Sequence, residues 1–171
     1  MKRYFIHKMN SSPIILAIAP GTREFGIAVF NGIELTYYSV KTLNPKDDIL
    51  NQISELLTGL ITWFSPQIIV IKSINKYQKL ASNLENIINH IKFVAEQKGL
   101  EIFELTFEQI KDNLCDEEKT AKRKAFESLL FDYPQLNRFW NRPNKWQNDY
   151  YSFMFSAVAV GVVFLKLNSR M

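Results

Sequence analysis

Residues 14–19 read Ile-Ile-Leu-Ala-Ile-Ala, an apolar run with no polar side chain at either phase of a strand's alternation. A strand of that composition is buried on both faces, so it belongs inside a sheet covered above and below. That requirement restricts the chain to layered α/β architectures. Pro20-Gly21-Thr22 ends the run. "GIAVFN" and "IELTYYSV" then read as two further strands joined at Asn31-Gly32, a pair favoured in tight type I′ hairpins.

The covering layers come from the rest of the chain. Ile49, Ile53, Leu56, Leu57, Leu60 and Phe64 recur at helical spacing, with Asp47 as the expected N-cap. "QIIVIK", after the break at Pro66, is a buried strand. Leu80, Leu84, Ile87, Ile88, Ile91 and Val94 predict a second helix, stopped at Gly99. "LEIFEL" is a fifth strand. A short helix capped by Thr106, a helix over "KTAKRKAFESLLF", a loop over 133–148 and an apolar helix over about 149–167 complete the chain. The order βββ-α-β-α-β-α-α-α with right-handed crossovers predicts a five-stranded mixed sheet, strand order 3-2-1-4-5, with helices on both faces. The expected organisation is an N-terminal extension over 1–13 and a single domain over 14–171.

Composition narrows the class. Of 171 residues, 47% are hydrophobic and six each are Gly and Pro, as in a compact globular chain. The net charge of +4 permits a polyanionic partner without requiring one. The lone cysteine, Cys115, excludes an intramolecular disulfide framework and fits a reducing compartment. "MKRYFIHKMNSSP" has no apolar core of a signal peptide. The most apolar stretch, residues 153–165, is shorter than the ~18–20 residues of a membrane span. The expectation is a cytoplasmic protein with no membrane partner.

The order of elements, taken with "IAPGTREFGIAVF", resembles the RNase H-like fold and, within it, the RuvC-type Holliday junction resolvases. In that family the first strand runs into Asp-Pro-Gly-(Ser/Thr)-Arg-x-x-Gly-x-(Ala/Gly)-Val. Pro20, Gly21, Thr22, Arg23, Gly26, Ala28 and Val29 stand in register with it, and Ala19 stands where the Asp belongs. The family's fourth strand ends in Glu, and "PQIIVIKSI" matches with Lys72 at that position. Its last helix carries Asp-Ala-(Ile/Leu)-Ala-Val-Ala, and "SAVAVG" matches with Ser156 in place of the Asp. The resemblance spans about residues 14–165 and implies acidic side chains holding two Mg²⁺ ions about 4 Å apart. A methyl, an ammonium and a hydroxyl do not serve that chemistry, and an ammonium repels a divalent cation. One substitution accounts for Ala19 alone; three together point to a decayed site that keeps its scaffold. The expected cofactor is therefore none, with Mg²⁺ only if an active site has been rearranged.

Asp149 lies two helical turns before Ser156, on nearly the same face, and reads either as a helix cap or as a surviving acid. Glu24, in the first turn, reads as exposed. His7 and His90 are not convincing ligands, and Glu101, Glu104, Glu108 and Asp112 have no metal-site spacing. Lys72 either contacts a phosphate directly or extends past the strand end into water. From Lys119 to Trp146, seven basic residues (Lys119, Lys122, Arg123, Lys124, Arg138, Arg142, Lys145) face two acids, and Phe139, Trp140 and Trp146 are interleaved. Such a mixture suits phosphate contact and base stacking, or is a solvated helix face with aromatics tucked onto the core. Lys76 and Lys79, just beyond the fourth strand, would extend a DNA-facing surface.

The function expected is binding of DNA, branched DNA included, by a homodimeric RuvC-like domain without nuclease activity. The expected contacts are Lys72, Lys76, Lys79, Lys119, Lys122, Arg123, Lys124, Arg142 and Lys145. The alternatives are an active metal-dependent endonuclease with a rearranged acidic site using Asp149, and a protein-interaction module on the same scaffold. A sugar-kinase-like ATPase needs two related halves, and the chain has room for one.

Overall fold

A computed structural model describes residues 12–74, 82–114 and 122–169, with backbone only for Ser82 and Lys122. Five strands, β1 (Ile14–Pro20), β2 (Glu24–Asn31), β3 (Glu34–Thr42), β4 (Ile68–Lys72) and β5 (Glu101–Leu105), form one sheet in the order β3-β2-β1-β4-β5. β1, β2 and β3 pair antiparallel, while β4 is parallel to β1 and to β5. The predicted strand order and mixed polarity are both present. β1 is central, and its residues divide between two cores as an alternating strand requires. Leu16 and Ile18 pack towards α1 (Ile49–Phe64) and α2 (Ser82–Gln97). Ile15, Ala17 and Ala19 pack towards α3 (Phe107–Leu114), α4 (Lys122–Asp132) and α5 (Lys145–Ser169).

α5 is the helix that fixes the second core. Every residue from Met154 to Phe164 is buried. The helix is 25 residues long and apolar enough to span a membrane by composition, but its apolar centre is enclosed by the sheet and the other helices. It lies unusually near the sheet because the facing residues are small. A Cβ built on Gly26 of β2 would stand 1.7 Å from the carbonyl oxygen of Phe153. A Cβ on Gly161 would stand 2.1 Å from the Phe30 ring. Both are approaches that no other residue permits.

Four local expectations change. α5 begins at Lys145, not near 149, with the carbonyl of Asn144 accepting from Gln147 and Asn148 at 3.1 and 3.3 Å. Asp149 therefore lies inside the helix and does not cap it. The loop before it contains a 3₁₀ turn over Pro134–Phe139. The N-cap of α1 is Asp48, which accepts from the Asn51 amide at 3.2 Å; the neighbouring Asp47 instead takes a bond from the Asn44 side chain. The β2–β3 loop is Gly32-Ile33, since Asn31 pairs with Glu34. Only Gly32 of the two has positive φ (60°), the pattern of a type II′ turn. Thr106 caps α3 as expected, and Gln109 returns a bond to the Thr106 amide at 2.8 Å, closing a capping box.

Gly26→Ala should destabilise the protein by about 3 kcal/mol, the upper end for overpacking, because backbone and not a side chain must move. Gly59→Ala, in α1 with nothing within 4 Å of the new methyl, should instead stabilise it by roughly 0.5–1 kcal/mol. Urea midpoints of the two variants check this; equal effects would remove the claim that Gly26 seats α5.

Candidate functional site

β1 and β4 run parallel side by side, so their carboxyl ends open at the same edge of the sheet. Ile18 pairs with Ile71, which leaves Ala19 and Lys72 as neighbours one step further on. Ile68 and Val70 pack into the α5 core, and alternation turns Lys72 to that side as well. Ser156 reaches the same place from α5. The three residues that stand at the family's acidic positions thus line one cavity, of about 300 Å³. Ala19 is 2% exposed and Ser156 6%.

The turn after β1 forms the cavity's floor. The Gly21 amide donates to the Glu24 carbonyl at 2.9 Å, and a Cβ on Gly21 would stand 2.6 Å from the Phe153 ring. Thr22, Ser73 and Ser152 add hydroxyls to the wall. Lys72 is half-buried and its Nζ lies 5.7 Å from the centroid of the Phe107 ring, so it points under α3 and not simply out past the strand. Among the described residues the lining contains no carboxylate, and no group of three or more His, Cys, Asp or Glu is placed to hold a metal. One ammonium and four hydroxyls do not fit a divalent cation, which takes oxygen anions and carbonyls. They fit an oxyanion, to which ammonium and hydroxyl groups donate.

Asp149 is exposed and lines a second cavity, of about 380 Å³, not the first. Asp149, Ser152 and Ser156 are spaced three and four apart along α5, and Ser152 borders both cavities. The second cavity is built around Arg123. Its guanidinium lies 5.8 Å from the Trp140 ring centroid, with Nε donating to Glu127 at 3.3 Å and Nη2 to the Asn141 side chain at 3.3 Å. Asn141 has φ of 51°, a left-handed conformation that Asn adopts more readily than other non-glycine residues. Asn148 holds that loop: its Oδ1 accepts from the Arg142 amide at 2.9 Å and its Nδ2 donates to the Arg142 carbonyl at 2.8 Å. The sequence identifies Arg123 and Trp140 only as members of a mixed basic and aromatic stretch. Their joint arrangement has no signal in it beyond the i,i+4 spacing of Arg123 and Glu127, which points to part of it.

The interleaved aromatics separate in space. Phe139 packs on Tyr38 and Tyr151, and Trp140 packs edge-on against Phe155 with ring centroids 5.2 Å apart. Trp146, 65% exposed, is the member open to solvent. Lys124, Arg142 and Lys145 are exposed, and Arg142 Nη1 donates to the Arg138 carbonyl at 3.1 Å. Lys76, Lys79, Lys119, His7 and Cys115 lie outside the described residues, as does the side chain of Lys122. Glu24 is within 3.8 Å of Arg23 and does not border the first cavity. His90 Nε2 lies 2.7 Å from the Ser54 hydroxyl, tying α2 to α1, and Glu104 pairs with Lys92.

No family model matches the sequence, and no curated protein does either. Solved structures do. Thermus thermophilus RuvC, determined in complex with a Holliday junction substrate, superposes with a TM-score of 0.69 at 15% identity over 88% of this chain and 92% of that one. The yeast mitochondrial Holliday junction resolvase Ydc2 gives 0.68 at 14% identity, covering 94% and 80%. The fowlpox virus resolvase with its Holliday junction DNA gives 0.54 at 12%, covering 90% and 97%. At such identities the likeness is one of fold: the chain has the RuvC-like RNase H fold, a five-stranded mixed sheet in the order 3-2-1-4-5 with helices on both faces.

Proposed function

We propose that this protein binds DNA, branched DNA included, and does not cut it. The observation that carries the reading is the cavity shared by Ala19, Lys72 and Ser156, whose described walls offer an ammonium and hydroxyls and no carboxylate. A metal-dependent phosphodiesterase needs anionic oxygens there to hold its ions. With an ammonium in their place, the pocket receives a backbone phosphate directly: Lys72 supplies the positive charge, and Ser156, Ser152 and Thr22 donate to the phosphate oxygens. The exposed Arg123, Lys124, Arg142 and Lys145 lie on the elements beside it and extend the positive surface along the strand. The RuvC and fowlpox structures that share the fold were solved with Holliday junction DNA, which supports a branched substrate here.

A homodimer belongs to the same proposal. Phe93 of α2, on the side of the sheet away from α5, is 57% exposed. Two copies would pair through this side.

Binding to a synthetic four-way junction should fall steeply with salt and be unchanged by EDTA. The triple reversal Lys122→Glu, Arg123→Glu, Lys124→Glu should weaken it at least ten-fold at about 0.1 M salt. Incubation with Mg²⁺ or Mn²⁺ should yield no product; cleavage that disappears in Asp149→Asn would replace this reading with an active, rearranged nuclease. The combined variant Ala19→Asp, Lys72→Glu, Ser156→Asp should acquire Mn²⁺ binding, detectable by calorimetry, that the parent lacks. Failure to do so in a folded variant would mean that the three positions do not form a metal-sized site.

A further inference from the structure

The cavity around Arg123 has walls of a different character from the phosphate pocket it adjoins. Four aromatic rings, Phe126, Phe139, Trp140 and Phe155, border it. Its polar groups sit at the rim: the Asp149 carboxylate, the Asn141 amide and the Arg123 guanidinium. A phosphate gains nothing from aromatic walls and is repelled by a carboxylate. A flat heteroaromatic ring gains from both, stacking on one surface and donating its N–H groups to the other.

The stacking surface is already assembled. Arg123 lies beside the Trp140 ring and is tethered by its bonds to Glu127 and Asn141, so its guanidinium loses less freedom when a base stacks on it. Asn148 has both its amide groups engaged in holding the 142–144 loop and takes no part in recognition. Asn141 gives its side-chain oxygen to Arg123, which leaves its amide nitrogen as a donor. The distance from Asp149 to Ser156 along α5 is about 10 Å, the rise of seven helical residues, so both pockets lie within reach of one stretch of a strand.

We infer that this second cavity receives an unpaired nucleobase of the DNA strand whose phosphate is held at Lys72. The inference rests on the DNA-binding reading and adds to it the class of structure selected: DNA with at least one base free of its pair. Aromatic walls and a guanidinium platform accept any base, while Asp149 can accept from an exposed amino group such as cytosine N4.

The test uses the full chain with Trp63→Phe and Trp146→Phe, both exposed positions, so that Trp140 is the single tryptophan and can be excited selectively. Three duplexes of equal length and charge are compared: fully paired, with one unpaired cytosine, and with an abasic site at that position. The unpaired cytosine should quench Trp140 and bind about ten-fold more tightly than the other two. Asn141→Gly, suited to positive φ, should remove much of that difference while retaining binding to paired DNA. Equal affinity for all three duplexes would overturn the base pocket and leave DNA binding intact. Absence of binding to every duplex would overturn both. Quenching by free cytidine monophosphate at the same concentration as the oligonucleotide would assign the cavity to a soluble nucleotide and overturn the strand-bound reading.

Discussion

The structure depends on how closely a helix backbone is laid on a strand. α5 crosses β2 where Gly26 has no side chain, and the Phe153 carbonyl occupies the space a methyl would need. This contact sets the height of the whole helix above the sheet. One turn along, it brings Ser156 down to the end of β1, and it aligns the Phe153 ring over Gly21. The glycines of the "PGTREFG" segment are therefore required by packing whether or not a metal binds beside them. A carboxylate can be lost from the end of β1 without disturbing the fold; the glycines cannot.

Much of this is legible in the sequence, and for identifiable reasons. "IILAIA" and "QIIVIK" are apolar at both phases, which places them at the centre of the sheet and sets the strand order around them. The stripes of α1 and α2 have a clear period because each helix covers one face only. α5 defeats that reasoning. It is enclosed over 154–164, so its apolar run has no period, and its polar first turn over 145–148 carries nothing that separates it from the preceding loop. Asp149, a residue type favoured at caps, therefore suggests a helix start that lies a full turn inside the real one. Asp47 and Asp48 cannot be separated from sequence because the two candidates differ by one residue in position but not in chemistry. The hairpin loop is displaced by one residue from Asn31-Gly32, because Asn31 pairs with Glu34 in the ladder and leaves Gly32-Ile33 to turn.

The candidate site divides along the same line. Ala19, Lys72 and Ser156 are legible because each sits in a motif with a fixed place in the fold, and parallel strands bring their carboxyl ends together. The Arg123 arrangement is not legible. Its parts come from α4, from the loop after the 3₁₀ turn and from α5, up to 32 residues apart between Arg123 and Phe155, and no periodicity links them. The sequence registers only the mixture of cations and aromatics. Folding separates that mixture into packed rings, a held guanidinium and an exposed rim.

The two cavities are related by more than their shared border at Ser152. A metal-dependent site is an acidic pocket that becomes attractive to DNA only once its ions are in place, so binding and cleavage are coupled through the metal. An ammonium at the same position removes that condition, because the charge is built into the chain and needs no ion to arrive. On the proposed reading the phosphate would be held in the same way at any Mg²⁺ concentration. In such a protein, selectivity can no longer be exercised at the cutting step; it must reside in binding. A neighbouring cavity that distinguishes an unpaired base from a paired one supplies that selectivity where a phosphate contact alone cannot. On that proposal the carboxylate of Asp149 would act as an acceptor at the rim of a base pocket, a use for an acid beside DNA that requires no metal.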